Sequence, residues 1–292
     1  MLKRAMFLAT LAALISCTAP ASSFAAGNQR NGSIIGRQIT RLIQADETLP
    51  EIARRFGIGY GEITAANPGV DPFVPEPGRR IVLPTEWILP DAPIREGIVI
   101  NIAEMRLFVF PNDSSRTVMT FPIGIGDQGK DTPVGTYTIV EKIRNPAWHV
   151  PESIRRERPD LPAIVPPGPD NPLGSHALRL SERSLLIHGT NRPWGIGMRS
   201  SHGCIRLYPE DIPRLFEIVG LGTSVAIVNQ PVKAAVEGNH VYLEVHDYGD
   251  GEDLFGEALK VLEAKRLLIR VDLEKIRKAS GGKRGLLVDV SK

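Results

Sequence analysis

The sequence predicts a mainly β central domain with one or two short helices, preceded by a small β-α-α-β unit and followed by an α+β carboxy-terminal appendage. Three observations predict it. Between Gly97 and Pro231, β-branched and aromatic runs recur between turn residues, the pattern of successive strands. Residues 38–84 hold two short helical patterns with strand-like runs at either end. Beyond Pro231 the pattern mixes strand-like and helical stretches.

At the amino terminus, Lys3 and Arg4 precede an apolar stretch from Ala5 to Ile15 and then small residues, the layout of a secretory signal peptide over residues 1–25. Ser23 and Ala25 supply the small side chains that cleavage after Ala25 needs, and the apolar stretch is too short for a permanent membrane span. Leu14-Ile15-Ser16-Cys17 also resembles a lipoprotein processing box, which would lipidate Cys17 and anchor the chain. Export makes the expected location periplasmic. Loss of Lys3 and Arg4 leaves 33 basic against 33 acidic residues, so no global positive field points to nucleic acid. No later stretch is apolar enough to be a transmembrane segment.

Gln38 to Ile43 reads as a strand. Thr48 then opens a helix with a Thr-x-x-Glu box ending at Glu51, Pro50 being tolerated in the first turn and Gly57 closing it. A second helix from about Glu62 to Ala66 is stopped by Asn67-Pro68, and Arg80 to Leu83 returns as a strand. With its Ala-Asn-Pro stop and Gly-x-x-Ile-x-x-Pro ending, this unit, residues 38–84, resembles a LysM domain. The resemblance implies recognition of glycan containing N-acetylglucosamine, or a spacer that has lost it. Residues 85–96, with Pro90 and Pro93, read as a short stiff linker.

In the central domain, 97–231, strands are expected at Gly97–Asn101, Met105–Phe110, Val118–Pro122, Gly135–Val140, Ala177–Leu180, Leu185–Ile187 and Val225–Val228, with a helix from about Pro209 to Val219. Eight prolines between Arg144 and Gly174 forbid a central strand or long helix there. This excursion reads as a lid or a wall of a substrate groove. In the appendage, 232–292, a strand at His240–His246, a helix near Leu254–Ala264 and a strand near Leu286–Val290 are expected.

Chemistry concentrates on the cysteines. Of the two, Cys17 and Cys204, signal removal leaves Cys204, which then can form no internal disulfide in an oxidising compartment. A lone cysteine reads either as a small buried apolar residue or as a nucleophile, and its neighbours decide. His188 ends the strand-like run LLIHGT, and sixteen residues later Cys204 ends Ser201-His202-Gly203-Cys204. A thiol with pKa near 8.5 is about 3% thiolate at pH 7. An imidazole takes its proton for attack and returns it to the leaving amine. A thiol pKa lowered to about 6 would give roughly 90% thiolate. Gly203 frees the backbone to turn, so the amides of Gly203 and Cys204 are the expected oxyanion donors. In an extended segment His202 shares a face with Cys204 and reads as a positioning group. His188, His202 and Cys204 are also conceivable zinc ligands, yet no Cys-x-x-Cys or His-Glu-x-x-His spacing accompanies them, and neither a metal nor another cofactor is expected.

From IHGT through RSSHGCIRL the chain resembles the L,D-transpeptidases of the YkuD type, and GKDTPVGTY is similar to that family's upstream Thr-Pro-x-Gly hairpin. The resemblance implies a YkuD-like β-sandwich, Cys204 as nucleophile and His188 as proton acceptor and donor, with Ser201, His202 and Gly203 around them. Arg206, where many members have Asn, suggests a grip on substrate carboxylate. Trp194, Arg192 and Arg199 are further candidates for the groove. The implied reaction is peptidoglycan acyl transfer from a tetrapeptide stem, with release of D-alanine, to an amine of another stem or of an envelope lipoprotein. Alternatives are hydrolysis of the stem as a carboxypeptidase, a zinc hydrolase, and a non-catalytic wall-binding protein.

Overall fold

The computed structural model describes residues 25–28, 33–94, 96–110, 117–182, 184–249 and 251–292. The expected signal segment up to residue 24, with Cys17, lies outside them. Among the described residues no helix is long and apolar enough to cross a membrane.

A nine-stranded mixed sheet forms the centre. Its order is Ala25–Asn28, Thr117–Pro122, Arg106–Phe110, Gly97–Asn101, Ser224–Val228, Gly135–Arg144, His176–Leu180, Leu186–His188, Ile205–Arg206. The long strand Gly135–Arg144 serves two partners. Gly135 to Thr138 pair with Ser224–Val228, and from Ile139 onward, past a register shift, it pairs with His176–Leu180. At the far end Arg206 bridges back to Gly124, just past Thr117–Pro122, so the sheet rolls around one core. Ile98, Leu107, Phe121, Ile187 and Ile205 from its two ends meet there, under Ile212, Leu215 and Phe216 of a helix. That helix, Asp211–Ile218, is α4 in chain order. The mainly β expectation holds, and each predicted strand is present within a few residues, Gly135–Arg144 running four residues further than its alternation suggested.

Ahead of the sheet, Ile39–Leu42 and Arg80–Leu83 pair antiparallel around helices α1 (Leu49–Arg55) and α2 (Tyr60–Ala66). Thr48 and Glu51 close the predicted capping box of α1. Ile52, Ala53, Ile63, Ile81 and Leu83 form a small core of their own. The segment expected to be a linker is partly a strand: Glu86–Ile88 pairs with Ile34–Gly36, and Trp87 is buried against Ile35, Phe108 and Val118 of the central body. Burying an indole gains more than a stiff spacer would, which is why Pro90 and Pro93 follow the strand and do not define the whole segment.

The unit carrying α1 and α2 is seated firmly on the central sheet. Arg106 donates to Glu62 at 2.8 and 2.7 Å and to the Gly57 carbonyl at 3.0 Å, with its guanidinium 4.1 Å above the Trp87 ring. Arg54 meets Glu210 through two bonds of 2.8 Å. The amides of Tyr60 and Gly61, at the start of α2, donate to the carbonyls of Ile196 and Gly197 at 3.0 Å each. Gly197 has φ +80°, and a Cβ there would lie 2.3 Å from the Tyr60 nitrogen, so only glycine permits the approach.

Between Arg144 and Gly174 the proline-rich excursion contains the short pair Trp148–His149 with Ile164–Val165 and a six-residue helix, α3 (Glu152–Glu157). Buried Asn171 ties its root, donating to the carbonyls of Pro146, Val165 and Pro166.

The carboxy-terminal residues form a three-stranded sheet, Val232–Glu237, His240–Val245 and Val288–Asp289, packed on α5 (Leu254–Ala264) and α6 (Leu273–Gly282). The first of these strands and α6 have no counterpart in the expected pattern. Lys233 reaches from that strand into a buried site, donating to Glu104 at 2.8 Å and to the Ile88 carbonyl at 2.6 Å, with Glu244 at 3.2 Å. Glu104, Glu244 and His246 form the group close enough to hold a metal ion among the described residues, and the Lys233 ammonium already neutralises it. Burial holds Glu104 above the usual carboxylate range, while Lys233 and the His246 contact bring Glu244 below it against the same burial.

Candidate active site

Two adjacent strands carry the predicted pair. Leu186–His188 lies parallel to Ile205–Arg206, with Ile187 opposite Ile205 and His188 opposite Arg206. Cys204 is therefore one residue ahead of a strand whose neighbour ends at His188. Cys204 and Arg206, two apart, fall on the same side of their segment.

His188 is buried, and its Nδ1 lies 2.6 Å from the Gly189 carbonyl. With the ring neutral, that contact puts the proton on Nδ1 and leaves the Nε2 lone pair to accept one. Burial and the nearby Arg206 charge push the imidazole down to about 3, against the pull of the Gly189 and Leu173 carbonyls. Cys204 keeps some surface, but its sulfur is enclosed, and burial pushes the thiol above its ordinary range despite the Leu186 amide, Arg206 and Arg179. Its sulfur donates to the Ser184 carbonyl at 3.5 Å. The resting pair is thus neutral thiol and neutral imidazole. Burial outweighs the cations around the thiol, so the lowering that would enrich the thiolate is absent from the resting site.

The elbow before Cys204 is braced from within. Ser201 Oγ donates to the Cys204 carbonyl at 2.6 Å and accepts from the Gly203 amide at 3.1 Å. Gly203 has φ +103°, a conformation that suits glycine. Its carbonyl accepts from Thr132 Oγ1 at 2.9 Å, and Thr132 Oγ1 in turn accepts from the Gly126 amide at 3.0 Å. The Gly203 amide, expected to face a substrate oxygen, is therefore occupied by Ser201 in the resting site. Thr132 was visible in the sequence only as part of a turn before a strand, and its role as a brace depends on contact across 71 residues.

His202 does not share the face of Cys204. The backbone turns at Gly203, and His202 Nε2 lies 2.7 Å from Lys130 Nζ and 3.3 Å from Glu157 Oε2. Arg206 donates from Nη1 to the Ser200 carbonyl at 2.9 Å, while its buried Nε has no acceptor among the described residues. Arg192, exposed, adds a second positive charge that acts on Arg206. Trp194 stands on the short turn Pro193–Gly195 and is 57% exposed. Arg199 pairs with Asp131 and lies over the Tyr248 ring. Beside the residues after His188, a cleft of about 370 Å³ opens between Thr190 and Asn191 on one side and Asn145, Gly168 and Ser175 on the other.

Residues 95–227 match the family model of the L,D-transpeptidase catalytic domain (YkuD), and residues 42–84 match that of the LysM domain. The chain is 43% identical over 248 residues to the probable L,D-transpeptidase YcfS of Escherichia coli, covering 81% of this chain and 77% of that protein. It is 45% identical over 222 residues to the probable L,D-transpeptidase ErfK/SrfK of Salmonella typhimurium, covering 73% and 71%. Among solved structures, L,D-transpeptidase 3 of Mycobacterium tuberculosis aligns with a TM-score of 0.35 at 24% identity, over 45% of this chain and 60% of that one. With its paired His188 and Cys204 strands and relatives matched over most of their length, the chain belongs to the L,D-transpeptidase family, carrying a LysM domain ahead of the catalytic one.

Proposed function

We propose that the protein is a periplasmic peptidoglycan L,D-transpeptidase in which Cys204 attacks the carbonyl of the third, diamino-acid residue of a tetrapeptide stem. The S–C bond forms as the thiol proton passes to His188 Nε2. The C–N bond to D-alanine then breaks, His188 giving its proton to the departing amine. An amine next attacks the thioester, the C–S bond breaks, and the proton the amine sheds restores the thiol. From another stem's diamino acid the amine makes a 3-3 cross-link. From a lipoprotein lysine it tethers that protein to the wall.

The observation that carries this reading is the parallel register of Leu186–His188 and Ile205–Arg206, which sets His188 opposite Arg206 on the strand entered from Cys204. Arg206, whose Nε has no acceptor among the described residues, supplies a donor for a substrate carboxylate, and exposed Trp194 an apolar surface for the stem. The Cys204 amide is the oxyanion donor in this scheme, joined by Gly203 once substrate displaces the Ser201 contact. The LysM domain holds the glycan, and the exported chain works at the wall.

The test is incubation with tetrapeptide-bearing muropeptides, using the wild type and Cys204→Ala, followed by mass spectrometry. Loss of D-alanine with a thioester adduct on the wild type alone is expected. Absence of any adduct, with D-alanine still released by the Cys204→Ala protein, would falsify the scheme.

A further inference from the structure

The segment between His188 and Cys204 is held from two sides. Toward the central sheet, the Gly197 amide donates to the Ile123 carbonyl at 3.0 Å and the Met198 carbonyl accepts from the Ile125 amide at 3.2 Å. On the other side stand Tyr60 and Gly61, whose amides donate to Ile196 and Gly197. The approach is close: a Cβ on Gly59 would lie 2.8 Å from the Gly197 Cα, and one on Gly61 would lie 2.8 Å from the Gly197 oxygen. Gly59 has φ −80° and Gly61 lies inside α2, so neither backbone conformation requires glycine, and within a helix alanine would serve better. What both positions require is room for residue 197. At its far end the segment folds back, Ser200 Oγ donating to the Gly195 carbonyl at 3.2 Å, and the Ser200 carbonyl accepts from Arg206 Nη1 at 2.9 Å.

We propose that the start of α2 positions Arg206 through the turn at residues 195–200, which makes the LysM domain a structural part of the active site. The inference rests on the reading above, in which Arg206 grips a substrate carboxylate. Arg206 Nη1 is occupied by Ser200, and Nε has no acceptor among the described residues. The place of the Ser200 oxygen therefore decides where the planar guanidinium presents its remaining donors. That oxygen belongs to a turn pressed between the sheet and α2. The reacting groups are braced elsewhere, His188 by the Gly189 carbonyl and Cys204 by Ser201, whose own carbonyl accepts from the Asp127 amide at 2.9 Å. Displacing the turn thus disturbs carboxylate binding more than chemistry. A grip made equally in the ground and transition states is read in KM and not in kcat. Gly61 and Gly197 are then positioning residues that act through Arg206.

The experiment uses a free tetrapeptide stem without sugar, so that glycan binding has no part in the readout. KM and kcat for D-alanine release, with a fixed amine acceptor, are measured on the full chain for wild type, Gly61→Ala, Arg206→Met and the double variant. Gly61→Ala favours α2 as a helix while pressing on the Gly197 carbonyl, and is expected to raise KM about tenfold with kcat within about twofold. Gly59→Ala, pressing on the Gly197 Cα, is a second probe with the same expected direction. Arg206→Met should raise KM at least as much, and adding Gly61→Ala to it should change KM no further. Arg54→Ala loosens the same domain at Glu210, away from the turn, and should lower the urea midpoint while KM stays at the wild-type value. An unmoved KM in both glycine variants, with normal thioester formation, overturns the inference and leaves the transpeptidase reading intact. Penalties that add in the double variant overturn it too, as does a rise in Arg54→Ala equal to that in Gly61→Ala, which marks general loosening of the domain. Absence of any thioester in the wild type sinks that reading and the inference together.

Discussion

Arg106 and Glu62 meet across the boundary between the catalytic sheet and the LysM domain, in a doubly hydrogen-bonded pair whose side chains are 0% and 6% exposed. Glu62 also accepts from the Gly59 amide at 2.6 Å, so one carboxylate both caps α2 and receives the sheet's guanidinium. Replacing Arg106 by Met strands that carboxylate in a dry interface. A loss of about 3 kcal/mol is expected, read as a lower urea midpoint, while Arg106→Met with Glu62→Gln should recover part of it.

Acid should weaken the fold through His188. Its folded value of about 3 lies below the usual imidazole value, so between those limits the unfolded chain binds a proton that the folded one refuses. Stability therefore falls as pH drops below about 6.5, by about 1.4 kcal/mol per unit from this group, and the effect saturates below about pH 3. Denaturant midpoints from pH 7 to pH 4 should fall less steeply in His188→Asn than in the wild type. Parallel curves would argue against it.

Burial raises the Cys204 thiol, so its thiolate appears late on the pH axis. Iodoacetamide labelling of the free enzyme should climb through pH 9 without levelling near neutrality. Arg206 favours the thiolate, and Arg206→Met should slow labelling at pH 8 by severalfold. A plateau near pH 7 would mean that the resting enzyme already holds an ion pair.

Gly203→Ala should separate folding from chemistry. The new methyl would meet the Asp131 and Lys130 carbonyls at 3.5 and 3.6 Å, ordinary contacts, so the cost is the φ of +103°. About 1–3 kcal/mol of strain is expected at the elbow, with kcat down tenfold or more and the circular dichroism spectrum unchanged.

Local signals were the readable ones. The Thr48–Glu51 box and the strands expected at Ala177–Leu180 and Leu185–Ile187 depend on neighbours in sequence, and each stands within a residue of where the pattern put it. Val232–Glu237 did not read as a strand because Lys233, Ala234 and Ala235 suit a helix as well. Its conformation is settled by pairing with His240–Val245 and by Glu104, 129 residues away. The candidate site was legible in its residue types and not in their surroundings. Enclosure of the thiol, the capture of the Gly203 amide by Ser201 and the turning of His202 toward Lys130 all come from packing that no spacing encodes.

The contact of Tyr60 and Gly61 with Ile196 and Gly197 fixes one more quantity. Those carbonyls belong to the loop between His188 and Cys204, so the LysM domain is bonded directly to the segment that leads to the thiol. A binding module on a free tether raises local concentration and leaves orientation to chance. Here backbone bonds tie the LysM domain to the loop that leads to Cys204, so under the proposed function a glycan strand held by that domain would meet the thiol in one orientation.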